Sequence, residues 1–152
     1  MRAIGVLRAG AWDGAAIDRV LLDHDHRHRR RLRLTTQSGA EVLLDLPHTE
    51  HLRDGDALVL EGGGCIAVQA APEPVLDIHA PTPAALLRIA WHLGNRHLPV
   101  QLLDNALRIR ADHVIAAMVT QLGGDVQPRE APFDPEPGAY AAGGHAHEHG
   151  HS

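Results

Sequence analysis

The chain of 152 residues contains no lysine; all 14 of its basic residues are arginine. That absence removes a lysine Schiff base, a lysine general base and the phosphate-binding loop that ends in Gly-Lys-Ser/Thr. Any nucleotide hydrolysis connected with this chain therefore falls to another protein. Aromatic residues are also scarce, with two Trp, one Tyr and one Phe, and the formal net charge is -5. Neither a stacking platform nor a global attraction for nucleic acid results. Cys65 is the single cysteine, so no disulfide can form within the chain and a reducing compartment fits. Its surroundings, Gly64-Cys65-Ile66-Ala67-Val68, read as a small thiol on a strand. No apolar run approaches the roughly 18 residues of a membrane span. The expectation is a cytoplasmic protein with neither membrane nor nucleic-acid partners.

Histidine is the residue in excess, with 13 copies in the chain. The end reads His145-Ala146-His147-Glu148-His149-Gly150-His151-Ser152, imidazoles at every second position. In extended chain such side chains project the same way, and a pliable backbone can close them around one cation. Neutral imidazole suits nickel, copper, zinc and cobalt. His147-Glu148-His149-Gly150-His151 formally matches the zinc-protease pattern H-E-x-x-H, but that pattern requires a stable helix beside a cleft and not a glycine-rich end. No nucleophile elbow or paired-carboxylate site occurs elsewhere, so the chain is not expected to be an enzyme. His24, His26 and His28 alternate within Asp23–Arg31; if extended they share a face, and otherwise they belong to a solvated, charged loop or edge strand.

The pattern of apolar residues predicts an α+β protein. Residues 1–70 read as an all-β domain: Arg31–Thr36 pairs with Ala40–Leu46 across Gln37-Ser38-Gly39, and Ala57–Leu60 pairs with Cys65–Gln69 across Gly62-Gly63-Gly64. Ala70-Ala71-Pro72-Glu73-Pro74 breaks both periods and marks a domain boundary. Residues 75–133 then alternate strand and helix. Val75–His79 is a strand; Thr82 and Pro83 open a helix whose face is Leu86, Ile89, Ala90 and Leu93, and Gly94 is placed to end it. Val100–Leu103 and Ala106–Arg110 form a hairpin through Asp104-Asn105, residues that tolerate positive φ. A second helix spans Ala111–Leu122 with Val114, Ile115, Met118, Val119 and Leu122 inward, Gly123 stops it, and Val126–Ala131 is a last strand. The order βαββαβ is the ferredoxin-like arrangement. Proline, glycine and alanine dominate from Pro132, and residues 134–152 are expected to be a disordered His-rich tail.

Two histidines of the second domain occupy helix ends. His97 follows the first helix, where the negative end of the dipole favours a cation. His113 opens the second beside Asp112, where the positive end favours neutral, ligating imidazole. Each is either a ligand or an ordinary surface histidine. One histidine cannot hold a metal, so a site at His97 requires several chain segments to converge or two copies to meet across a two-fold axis.

The run Leu93-Gly94-Asn95-Arg96-His97-Leu98-Pro99-Val100-Gln101, the later Asp112-His113-Val114, and Leu43-Leu44-Asp45-Leu46-Pro47 with Leu52-Arg53-Asp54-Gly55-Asp56 in the β-rich half together resemble the UreE family of urease accessory proteins, which are nickel metallochaperones. The resemblance covers essentially the whole chain. It implies a homodimer built through the ferredoxin-like domains, with His97 of both copies meeting Ni(II), and a first domain that contacts partner proteins. It also implies that His145, His147, His149 and His151 complete or supplement the site, and that the metal passes to a urease-activating GTPase and apo-urease complex. Zinc, copper or cobalt can substitute in such a site. Where some members carry a further histidine before the Asp-His pair, this chain has Ala111. A passive nickel store is the alternative function.

Overall fold

The structure, a computed structural model, describes residues 1–137. Its described residues divide into two compact units, Met1–Glu73 with Glu130–Asp134, and Pro74–Arg129 with residues 135–137.

The first unit contains β1 (Arg2–Leu7), β2 (Asp18–Leu22), β3 (Arg31–Thr35), β4 (Glu41–Asp45), β5 (Ala57–Leu60) and β6 (Cys65–Ala70). They form one sheet in the order β2-β6-β5-β1-β4-β3. Its two edges approach each other just beyond β3, where the Gln37 amide donates to the Arg19 carbonyl of β2 at 2.9 Å. The sheet is thus curled into a near-closed barrel, which hides most of the strand edges that would otherwise invite aggregation. Alternation does the sorting: in β4 the inward Val42 and Leu44 are buried while Glu41 is exposed. Val20, Leu34, Leu44, Leu58 and Ile66 are among the residues that fill the barrel, and burial of each aliphatic side chain of this size stabilises by roughly 1.5–3 kcal/mol.

The second unit is built from β7 (Pro72–His79), α1 (Pro83–Asn95), β8 (Gln101–Leu102), β9 (Leu107–Arg110), α2 (His113–Gln121) and β10 (Asp125–Pro132), except that the first two residues of β7 and the last three of β10 belong to the first unit. The sheet order β10-β7-β9-β8 and the antiparallel pairing of β9 with both β7 and β8 give the ferredoxin-like βαββαβ arrangement. Leu76, Ile78, Leu107 and Ile109 of the sheet pack against Ile89 and Leu93 of α1 and Ile115 and Val119 of α2. Thr82 caps α1 by accepting from the Ala85 amide at 3.0 Å.

Several details depart from expectation. The stretch around Pro72 and Pro74 is not a break, because β6 runs to Ala70 and β7 starts at Pro72; proline is admitted at the first position of a strand, where no ladder donor is required. Helix α1 continues through Gly94 and Asn95. Helix α2 begins at His113, with Asp112 as its cap, so Val114 lies about 120° off the face centred on Ile115 and Val119 and is 58% exposed. Asp104 and Asn105 turn the β8–β9 hairpin without positive φ; among the described residues the one non-glycine with positive φ is His97. Order extends beyond Ala131: Phe133 is fully buried, and Asp134 is bonded by Arg53. Residues from Gly138 onward, including most of the expected tail, lie outside the described residues.

Candidate functional site

The end of α1 fixes the backbone of His97. The Leu98 amide donates to the Leu93 carbonyl at 3.2 Å and the His97 amide to the Gly94 carbonyl at 2.9 Å. Arg96 is the C-cap, and His97 adopts φ 59°. These two bonds and the left-handed residue make a Schellman motif, with buried Leu93 and part-buried Leu98 in the same core cluster supplying its hydrophobic contact. A β-carbon is unfavourable in that conformation, which is why glycine ordinarily stands there. Here an exposed imidazole does. Its backbone is held by the helix end, while its side chain faces solvent beside the last carbonyls of α1, the negative end of the helix.

Asp112 and His113 are placed by the start of α2. Asp112 Oδ1 accepts from the Val114 amide at 2.9 Å and the Ile115 amide at 3.2 Å, so one carboxylate oxygen is engaged in capping. His113 is the first helical residue and is exposed. The structure therefore gives Asp112 a structural task that its expected role as ligand did not include. A cavity of about 360 Å³ brings the two neighbourhoods together: it is lined by Leu98 and Pro99, which follow His97, by Asp112, and by Ile109, Arg110, Ala111 and Ile115. Among the described residues no three histidine, cysteine or carboxylate side chains are grouped closely enough to hold a metal ion. His97 and the Asp112-His113 pair thus do not form a metal centre by themselves within one copy of the chain. His145, His147, His149 and His151 fall outside the described residues.

The histidines of the first unit are arranged differently from their spacing. Asp23–Arg29 is a run of turns and not a strand, so His24, His26 and His28 do not share a face. His26 is exposed, with Nδ1 2.6 Å from Asp23 Oδ1. His24 is buried. His28 stacks on His51 with ring centroids 5.1 Å apart. Arg27, expected in solvent, is fully buried; its guanidinium donates to the carbonyls of Leu22 at 3.1 Å, Leu52 at 3.4 Å and Phe133. His51 joins these histidines, its ring in contact with both His24 and His28. This grouping joins residues far apart in sequence, and no periodicity signals it.

Comparison with known proteins decides the family. The description "UreE urease accessory protein, C-terminal domain" matches residues 73–152, and "UreE urease accessory protein, N-terminal domain" matches residues 2–71. The chain belongs to the UreE family. Urease accessory protein UreE of Bradyrhizobium sp. (strain ORS 278) is 59% identical over 147 residues, which covers 97% of this chain and 70% of that protein. UreE of Beijerinckia indica subsp. indica is 49% identical over 152 residues, covering all of this chain and 87% of the relative. UreE of Rhodobacter capsulatus is 48% identical over 149 residues, 96% of this chain and 92% of its own length. The two family descriptions meet between Ala71 and Glu73, close to the Glu73/Pro74 division of the structure. Among the described residues no helix is long and apolar enough to cross a membrane.

Proposed function

We propose that this chain is a nickel metallochaperone, a carrier and not an enzyme, that delivers Ni(II) to the urease activation complex for assembly of the urease metallocentre. Family membership supports the role. The observation that carries the site is His97: an imidazole occupies the left-handed position that closes α1, where a side chain is retained against local backbone preference. A fixed, solvent-facing imidazole suits a cargo that must be released, because an exposed histidine site exchanges its ion more readily than a closed thiolate cage.

One His97 per copy calls for a second set of ligands. The working unit is a homodimer in which residues 75–133 bind metal and dimerise, so that two His97 residues share the ion. Leu87 and Trp91, one turn apart on α1 and 72% and 64% exposed, offer apolar surface for that contact. His145, His147, His149 and His151 collect nickel and add ligands, Asp112 with His113 forms an accessory position, and residues 1–70 contact the accessory GTPase and apo-urease. All of this takes place in the cytoplasm. Imidazole ligation also admits zinc, copper and cobalt, so nickel is selected by supply and by the docked receiver.

Nickel titration of the full chain, of residues 1–144 and of His97→Ala, paired with apo-urease activation by each, tests the reading. The carrier predicts that His97→Ala loses activation while the truncated chain retains a nickel site. If truncation abolishes all binding and His97→Ala changes neither readout, the protein is a passive store and the carrier assignment fails.

A further inference from the structure

The segment Glu130–Asp134 returns to the first unit and is held there by three kinds of contact. Phe133 is fully buried, with the His24 ring edge-on to it at 5.2 Å between centroids. The Phe133 carbonyl accepts from buried Arg27. Arg53 makes a two-point bridge to Asp134, Nε to Oδ1 at 3.1 Å and Nη2 to Oδ2 at 2.9 Å. Behind the His24 ring stands His51, edge-on at 5.5 Å, and His28 stacks on His51. His51 Nε2 is buried and has no hydrogen-bond partner.

We propose that His51, wedged between His24 and His28, is the trigger of an acid-sensitive latch on the strap Glu130–Asp134: closed while the ring is neutral, open once it takes up a proton. The charges facing it set the direction. His28, Arg53 and Arg27 oppose a positive charge on His51, and Asp134 favours it. Burial comes first among the causes that push the His51 ring below ordinary histidine basicity, followed by the opposing effects of His28, Arg53 and Arg27. A proton on His51 would leave a buried charge beside Arg27, a cation already short of solvent, and the ring escapes that situation by moving out of the stack and withdrawing support from His24 and Phe133. The proposal stands on the first unit alone and does not rely on nickel binding.

Hydrogen exchange of the full-length protein tests it, read as protection factors for the strap amides of Glu130, Ala131, Phe133 and Asp134 with β9 as internal reference. Between about pH 7.5 and 5.5 strap protection falls relative to β9 by several-fold, up to the roughly tenfold limit that uptake of one proton by an ordinary imidazole on opening allows. His51→Phe, which keeps an aromatic ring in the stack but cannot titrate, loses that dependence. Equal acid loss in His51→Phe, or an unchanged strap in the unaltered protein, overturns the latch. An NMR titration of the unaltered chain gives a check that needs no variant: the Ala131 and Phe133 amide shifts follow the His51 ring with one midpoint. Midpoints more than about one pH unit apart, a tenfold separation in proton affinity, overturn it as well.

Discussion

His97 and Gly123 hold the same position in the same motif at the ends of the two helices of the second unit. Gly123, φ 89°, closes α2 with its amide on the Thr120 carbonyl at 3.0 Å while the Gly124 amide reaches the Val119 carbonyl at 2.9 Å. His97, φ 59°, closes α1 with the equivalent pair of bonds. One domain thus contains both the residue the backbone favours and the residue it tolerates, and the difference between them is the imidazole.

That equivalence makes stability and binding separable at one position. His97→Gly is expected to raise unfolding stability by about 0.5–1 kcal/mol relative to His97→Ala, because glycine accepts the left-handed conformation without a β-carbon penalty. Both variants lose the folded nickel site equally. Urea denaturation alongside nickel titration checks this; a His97→Gly protein that is less stable than His97→Ala would show that the imidazole, and not the turn, supports the helix end.

Asp112 invites a similar separation. Since Oδ1 alone accepts both amide bonds of the α2 cap, Asp112→Asn should leave stability within a few tenths of a kcal/mol, whereas Asp112→Ala should cost about 1 kcal/mol, the usual loss of a helix N-cap. Thermal unfolding measures both. If Asp112→Asn keeps its stability yet weakens nickel binding, the carboxylate charge contributes to the accessory site; if binding is unchanged, Asp112 serves only as the cap that positions His113.

Much of this was legible from pattern alone. The inward faces of β4 and α1 follow from periods of two and 3.6 residues, and Thr82-Pro83 announces a helix start. The His97 run was conspicuous as sequence, but its conformation was not: Gly94 looked like the natural stop, while the motif takes its carbonyls from Leu93 and Gly94 and places the turn three residues later. Gly124 is another silent position. Its backbone is ordinary, yet an added β-carbon would stand 2.5 Å from Val119 Cγ1 and 2.9 Å from Ile89 Cδ1, a packing constraint that only tertiary structure reveals. Arg27 and His51 carry no local signal for the same reason: local charge and spacing say nothing about a distant segment such as Phe133, whose carbonyl accepts from Arg27.

Asp77 predicts how the second unit responds to acid. It is 2% exposed and accepts from Arg108 Nε at 2.7 Å and Nη2 at 3.0 Å, with Arg129 Nη1 at 3.3 Å. The hydrogen bonds from Arg108 are the largest cause that holds its carboxyl below the ordinary range, against the opposing effect of burial. A depressed carboxyl stabilises the fold above its unfolded value, near about pH 3.9, and this stability is lost as pH falls through the lower folded value. Arg108→Leu is expected to cost about 3 kcal/mol at neutral pH, the low end for breaking a buried pair because Arg129 remains. The same variant should begin to unfold at higher pH than the unaltered protein in a series of urea titrations; an unmoved acid limb would mean that Arg129 alone suffices to hold the charge.

Competition between protons and nickel can count the ligands that His97 and the histidine-rich end provide. Each imidazole must be free of its proton to bind metal, and free imidazole takes up that proton near about pH 6.5. Affinity should therefore fall steeply between about pH 7.5 and 5.5, approaching a tenfold loss per pH unit for every imidazole ligand once the medium is acidic. A site made of two His97 residues and no other histidine gives a limiting slope of about two; recruitment of residues from His145 to His151 raises it towards four, the usual complement of a filled site. Nickel titration across that pH range, on the full chain and on residues 1–144, separates these cases. The truncated protein should lose the steeper part of the slope and keep the shallower part. A truncated chain whose slope matches that of the full chain would place all the exchangeable imidazoles on the folded units, and the terminal histidines would then be collectors that never share the ion held at His97.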